Sequence, residues 1–250
     1  MTSLKPKKEI NKLKSRRNQT PISIVKALPN DLLVDIVGKV ASRSMADLCK
    51  IKLSCKEFLN ASEDGCVYQH AAMDKFALIP LPWFTDEKEV SFLTRCRESG
   101  NLDILYREGM VQYFSTLMMN LGFENLKKAA LEGHHEAKYV YSMLLMANCD
   151  DEDGRKLGFD LFGELKNSTC IMECRKRVKS FIQSMWLKNV VVAQNQGLSL
   201  CSSSTCHNHG TKKVVKKHST WSIDDFDSDV VGVCKYCDGN YELSLFCKMF

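Results

Sequence analysis

No apolar run in this sequence approaches the roughly 20 residues that span a bilayer, and the first thirty residues lack the long apolar stretch of a secretory signal. A soluble, intracellular protein is the expectation. Also missing are a glycine-rich phosphate loop, a nucleophile elbow and a His-Glu-x-x-His helix, the usual marks of phosphate handling, acyl transfer and zinc proteolysis. The acidic runs NCDDEDG and SIDDFDSD lack the spacing of a calcium loop and read as solvated loops. An inventory this poor in reactive constellations points away from an enzyme.

What is present is a chain of 250 residues, 44% of them hydrophobic, long enough to bury a real core in one or two domains. The net charge of +5 is unevenly placed. Residues 1–20 hold seven basic side chains (Lys5, Lys7, Lys8, Lys12, Lys14, Arg16, Arg17) against Glu9 alone, so the positive charge belongs to a tail and not to a face of the fold. Two readings stand: a solvated, disordered tail, or a nuclear import signal made of the clusters KPKK and KLKSRR. Nucleus, cytoplasm or both are the expected locations.

Twelve cysteines without a secretory signal argue against a disulfide scaffold. Cys49, Cys55, Cys66, Cys96, Cys149, Cys170 and Cys174 are scattered through helical pattern, where a thiol acts as a small apolar side chain. Five more lie between Cys201 and Cys247 and require another explanation.

The pattern divides the chain into a basic tail (1–21), a helical segment (22–78), a second helical region (85–188) and a Cys-rich end (189–250). In the first helical segment Pro29 suits a first helical turn, and Leu32, Leu33, Ile36, Val37 and Val40 form a stripe at helical spacing. Ser44 with Asp47 predicts a cap for the next helix, Phe58 and Leu59 belong to a third, and a fourth is expected across residues 66–77. Pro80 and Pro82 mark a boundary, after which Thr85 caps a helix that ends at Gly100.

Residues 100–168 repeat. GNLDILYREGMV (100–111) aligns with GHHEAKYVYSML (133–144), pairing Gly100 with Gly133, Tyr106 with Tyr139 and Met110 with Met143. A period of this size predicts stacked helix pairs, and two copies need flanking helices as caps. Residues 169–188 are one such cap, with Ile171, Cys174, Val178, Phe181, Ile182 and Met185 on one face. His134 and His135 are expected as exposed polar residues at the turn. Beyond Val190, the segments VVVA, KKVVKK and DVVGVC suit small strands.

Residues 27–64 resemble the F-box, a three-helix module that docks on the Skp-type adaptor of SCF ubiquitin ligases. The match rests on Leu28-Pro29, Asp31-Leu32-Leu33, Ile36, Val40, Leu48 and Cys55-Lys56 followed by Phe58. The resemblance implies adaptor binding through Leu28, Pro29, Leu32, Leu33, Ile36, Val40 and Leu48. So short a helical module is marginal alone, and three or four large aliphatics at roughly 1.5–3 kcal/mol each would anchor a complex.

Residues 100–168 resemble Sel1-like and tetratricopeptide-type repeats, whose stacked pairs form a surface suited to gripping peptides. Tyr106, Tyr113, Tyr139 and Tyr141 are either contacts for a client or inter-helix packing. The whole chain resembles plant F-box proteins with such helices and a Cys-rich, degenerate MYND-like end. Cys201, Cys206, Cys234 and Cys237 form two pairs able to complete a closed tetrahedral zinc site, with His207, His209 or His218 as substitutes for one sulfur; incidental cysteines are the competing reading.

The expected architecture is thus mainly α: a three-helix F-box, stacked Sel1/TPR-like helix pairs, and a small Cys-rich module containing strands. The expected function is the substrate-recognition subunit of an SCF-type ligase, with a Skp-type adaptor and cullin complex as partners, a protein client, and structural zinc. A helical-repeat scaffold with a zinc module, outside ubiquitin transfer, is the alternative. A nucleic-acid binder using Lys212, Lys213, Lys216 and Lys217 is a third, set against their reading as a solvated strand edge.

Overall fold

The computed structural model describes residues 24–79, 86–115, 118–148, 150–168, 171–185, 201 and 234–250. The basic tail, the Pro80–Pro82 boundary, the Thr85 cap, the segments VVVA and KKVVKK, all of DVVGVC before its last residue, and Cys206, His207, His209 and His218 lie outside them. Among the described residues every regular element is a helix.

The amino-terminal part contains α1 (Ile24–Ala27), α2 (Asn30–Ala41), α3 (Met45–Lys52), α4 (Lys56–Ala61) and α5 (Gly65–His70). Pro29 stands just before α2, where its lack of an N–H costs nothing. The Ser44 side chain accepts a hydrogen bond from the Asp47 N–H and starts α3, as the sequence spacing predicts. Leu33, Val34, Val37 and Ala41 of α2 meet Leu48, Ala61, Val67 and Tyr68 in one small core.

The fourth predicted helix is shorter than expected, ending at His70. Residues 71–79 are irregular because side chains from the next region take their carbonyls. Asn101 donates its amide to the Tyr68 and Ala71 carbonyls at 3.0 Å each. The Arg107 guanidinium reaches the carbonyls of Met73 (2.8 Å), Phe76 (3.1 Å) and Ala77 (3.1 Å). A backbone acceptor needs a partner of some kind, and these are supplied from outside the segment.

The second region contains α6 (Glu87–Glu98), α7 (Leu102–Ser115), α8 (Met119–Leu131), α9 (His135–Ala147), α10 (Glu152–Asn167) and α11 (Ile171–Ser184). Helices α7 with α8 and α9 with α10 are antiparallel pairs that stack on one another. The turn before each pair holds a glycine in left-handed backbone, Gly100 at φ 77° and Gly133 at φ 104°, where a Cβ would be strained. Tyr106 and Tyr139 are both buried, as are Met110 and Met143, so the repeat read from sequence is a repeat in space. Tyr141 is buried too. His134 is no simple surface residue: its Nδ1 accepts from the Ala137 N–H as the cap of α9, and its ring stacks on Tyr106. Helix α11 closes the stack with Cys174, Val178, Phe181 and Ile182 inward.

The carboxy-terminal helix α12 (Lys235–Cys247) was not foreseen. Its Leu243, Phe246 and Cys247 belong to the same core as the repeats, so α12 packs against them.

Candidate functional site: an apolar helix edge and a cysteine cluster

Helix α2 divides its aliphatic side chains between two uses. Leu33 is 4% exposed and sealed in the core, whereas Leu32 beside it is 49% exposed and Ile36, one turn on, is 40% exposed. Pro29 is exposed, Leu28 is half-buried against the rim of the core, and Val40 is half-buried. Leu48 is 1% exposed, so it holds α3 to α2 and is out of reach of any partner. Of the seven residues expected at an adaptor interface, Leu33 and Leu48 are therefore core, and Pro29, Leu32 and Ile36 form the accessible edge. An i, i+4 alternation cannot by itself say which neighbour faces inward; that is set by where α3, α4 and α5 lie. Ile24 and Leu53 are also strongly exposed, and sequence reading did not single them out. Lys26 of α1 lies 3.9 Å from Glu57 of α4, bringing the segment before Leu28 toward the third helix of the module.

Between this module and the repeats lies a cleft of about 640 Å³, lined by Ser42, Arg43 and Met73 on one wall and by Asp103, Arg107 and His134 on the other. Its charges are matched: Arg107 reaches Asp103 at 3.2 Å, and Arg177 reaches Glu136 at 2.8 Å. Burial pushes the Asp103 carboxyl up, but hydrogen bonding to His134 and the nearby Arg107 charge outweigh it and hold the group below the usual carboxylate range. The first pair steadies Arg107, whose guanidinium crosses the junction to the Met73 carbonyl, and the second ties α11 to α9 within the repeats.

The second cluster is sulfur. The Sγ atoms of Cys201, Cys234 and Cys237 all lie within 4.8 Å of one another, with Cys234 and Cys201 3.4 Å apart. Cys234 caps α12, its sulfur accepting from the Cys237 N–H at 3.5 Å. A tetrahedral zinc with Zn–S bonds near 2.3 Å places its sulfurs roughly 3.8 Å apart. Three converging thiols, one of them buried, with an N–H aimed at a sulfur, fit such an ion. Cys201, Cys234 and Cys237 would hold it, and its role would be structural cross-linking. The fourth expected ligand, Cys206, lies outside the described residues.

A polar latch on the same helix is not legible in the sequence. Glu242 of α12 is buried, accepting from the Tyr139 hydroxyl at 2.7 Å and from Arg175 at 2.9 and 2.6 Å. Gly239 permits the approach, since a Cβ there would lie 2.5 Å from the Phe159 ring.

Comparison with known proteins bears on the two helical parts. The model of a family described as plant tetratrico peptide repeats matches residues 76–183. The provisionally named F-box protein At1g67623 of Arabidopsis thaliana is 26% identical over 230 residues, covering 88% of this chain and 76% of the relative. F-box protein At2g35280, also from Arabidopsis thaliana, is 31% identical over 138 residues, covering 55% of this chain and 83% of the relative. The chain belongs to the plant F-box protein family. A third F-box relative from the same plant, At1g67340, is 26% identical over 129 residues, covering 51% of this chain and 34% of its own length. No solved structure matches significantly. In this F-box protein the tetratrico-type match starts at Phe76, whose carbonyl accepts from Arg107, so the boundary between the two parts is the junction itself. None of the described helices is long and apolar enough to cross a membrane.

Proposed function

We propose that this F-box protein is the substrate-recognition subunit of an SCF-type ubiquitin ligase. It docks on a Skp-type adaptor, and through it on a cullin complex, by the edge made of Leu28, Pro29, Leu32 and Ile36. The repeat region holds a protein client. The single observation that carries this reading is the exposure of Leu32 and Ile36 on a helix whose opposite face is a finished core. Covering each such side chain is worth about 1.5–3 kcal/mol, which makes this edge suited to a partner's groove. The receptor contributes proximity and no bond chemistry: tethering raises the concentration of the client near the conjugating enzyme. The basic clusters ahead of Pro21 support nuclear entry as well as cytoplasmic residence, and the thiol cluster supports one structural zinc.

Co-purification tests the reading. The wild-type chain is expected to retain a Skp-type adaptor through gel filtration, and Leu32→Asp with Ile36→Asp is expected to lose it while remaining folded by circular dichroism. Equal retention of the adaptor by both forms, or by neither, removes the assignment.

A further inference from the structure

The residues that α12 turns inward are Gly239, Glu242, Leu243, Phe246 and Cys247, spaced i, i+3, i+4, i+7 and i+8. That is the contact pattern of a helix lying in a groove. The groove is made by helices of the repeats. Tyr139 of α9 gives a hydrogen bond to Glu242 and an edge contact to Phe246; Arg175 of α11 grips the same carboxylate; Phe159 of α10 receives Gly239 and the Tyr236 ring. Phe250, just beyond α12, meets Phe114 of α7. The surfaces of α7, α9, α10 and α11 that line this groove are therefore occupied by the chain's own end.

Two features show how the occupant is fastened. Around the first turn of α12, Lys235 pairs with Asp160 at 2.9 Å and Asp238 with Lys166 at 2.8 Å, both on exposed surface. At the same end, Cys234 and Cys237 converge with Cys201, which lies far back in the sequence. A metal shared by these three would tie the helix to a separate stretch of chain. The rest of the hold is the Glu242 carboxylate and an apolar face of Leu243, Phe246 and Cys247, with Tyr236, Met249 and Phe250 packed at its edges.

We propose that this groove is the partner-binding face of the protein, that α12 is its resident occupant held by the cysteine cluster, and that the partner is an amphipathic helix carrying an acidic residue with an aromatic one turn later, as Glu242 and Phe246 are. The partner is a client only if the receptor reading above holds; the groove and its latch do not depend on that reading. Tyr139 and Arg175 read the carboxylate, and the pocket beside Phe159 and Met146 accepts only a small residue one turn earlier, where Gly239 sits.

The test uses the full chain in reducing buffer with zinc supplied and then removed by a chelator. The probe is a fluorescein-labelled peptide of residues 234–250 with Cys234→Ser and Cys237→Ser. With zinc present, the amides of α12 are expected to be protected from hydrogen exchange and the probe not to bind. After chelation, exchange in α12 rises at least tenfold, the other helices keep their protection, and the probe binds. A probe that also carries Glu242→Ala and Phe246→Ala binds at least tenfold more weakly. Full-length Glu242→Ala, which weakens the occupant and leaves the groove intact, is expected to bind the probe even with zinc present. The proposal is overturned if α12 stays protected without metal and Glu242→Ala binds no probe. Equal binding of both probes, or collapse of α7 to α11 together with α12, also overturns it. Adaptor retention measured on the same samples separates the two ideas: adaptor bound with no probe exchange sinks the groove alone, and probe exchange with no adaptor sinks the receptor assignment alone.

Discussion

The Tyr139 hydroxyl donates to the Glu242 carboxylate at 2.7 Å and joins the centre of the repeats to the end of the chain. Arg175 takes both oxygens of the same group, so a buried acid has three hydrogen bonds and a countercharge. Burial and the neighbouring carboxylate hold the Tyr139 phenol well above its ordinary range, and the tyrosine stays a donor at any physiological pH. Glu242→Ala leaves Arg175 half-buried without its partner, and a loss of about 3 kcal/mol is expected in urea unfolding. Tyr139→Phe, which removes one hydrogen bond, should cost about 1 kcal/mol.

Leu32 and Leu33 are neighbours with opposite duties. Leu33→Ala empties a core position and is expected to destabilise by about 2–5 kcal/mol, while Leu32→Ala should stay within about 0.5 kcal/mol of wild type. Thermal unfolding of the two variants, each without a partner, checks the contrast.

The glycines divide in the same way. Gly133→Ala places a Cβ on left-handed backbone at φ 104° and should destabilise by about 1–2 kcal/mol. Gly38 lies inside α2 with nothing near its absent Cβ, so Gly38→Ala is expected to stabilise by about 0.5–1 kcal/mol. Midpoints of chemical unfolding give both signs.

Acid should loosen the junction. The Asp103 carboxyl titrates in the folded protein below its unfolded value, because the His134 and Arg107 groups outweigh the upward push of burial. Its contribution is then complete above roughly pH 4, near the unfolded carboxyl value, and is lost as pH falls through the folded value. The stability curve of Asp103→Asn is expected to be flatter than wild type in that acid range.

Thiol reactivity should also be uneven. Burial pushes the Cys96 thiol up to about 12, while Cys49 and Cys66 are exposed. With iodoacetamide at pH 8, mass spectrometry of the native protein should find Cys49 and Cys66 alkylated and Cys96 intact; alkylation of Cys96 should require denaturant.

The local features were the legible ones. The Ser44 cap, the left-handed glycines before α7 and α9, the repeat spacing and the inward face of α11 are each written within a few residues, and each appears where the pattern puts it. Harder to read were matters decided by distant partners. Nothing near Leu33 says that α3 and α5 will cover it and leave Leu32 open. Beyond His70, where the predicted fourth helix stops, Asn101 and Arg107, about thirty residues on, claim the carbonyls of Ala71 and Met73. Of the four expected zinc ligands, the three described ones come together: Cys234 and Cys237 through a short-range Cys-x-x-Cys motif, Cys201 from 33 residues before Cys234. The Glu242 latch was invisible: a lone glutamate in a helix gives no hint that a tyrosine and an arginine wait across the fold.

Arg107 and Asn101 have a bearing on geometry at a larger scale. Five backbone carbonyls of the amino-terminal part end on these two side chains at the start of α7, which ties the junction at five points. An arm without play behaves as a gauge: whatever is gripped at one end is presented at a set distance and angle from the other. On the receptor reading proposed above, a client's lysines inside a narrow arc would be modified and the rest passed over.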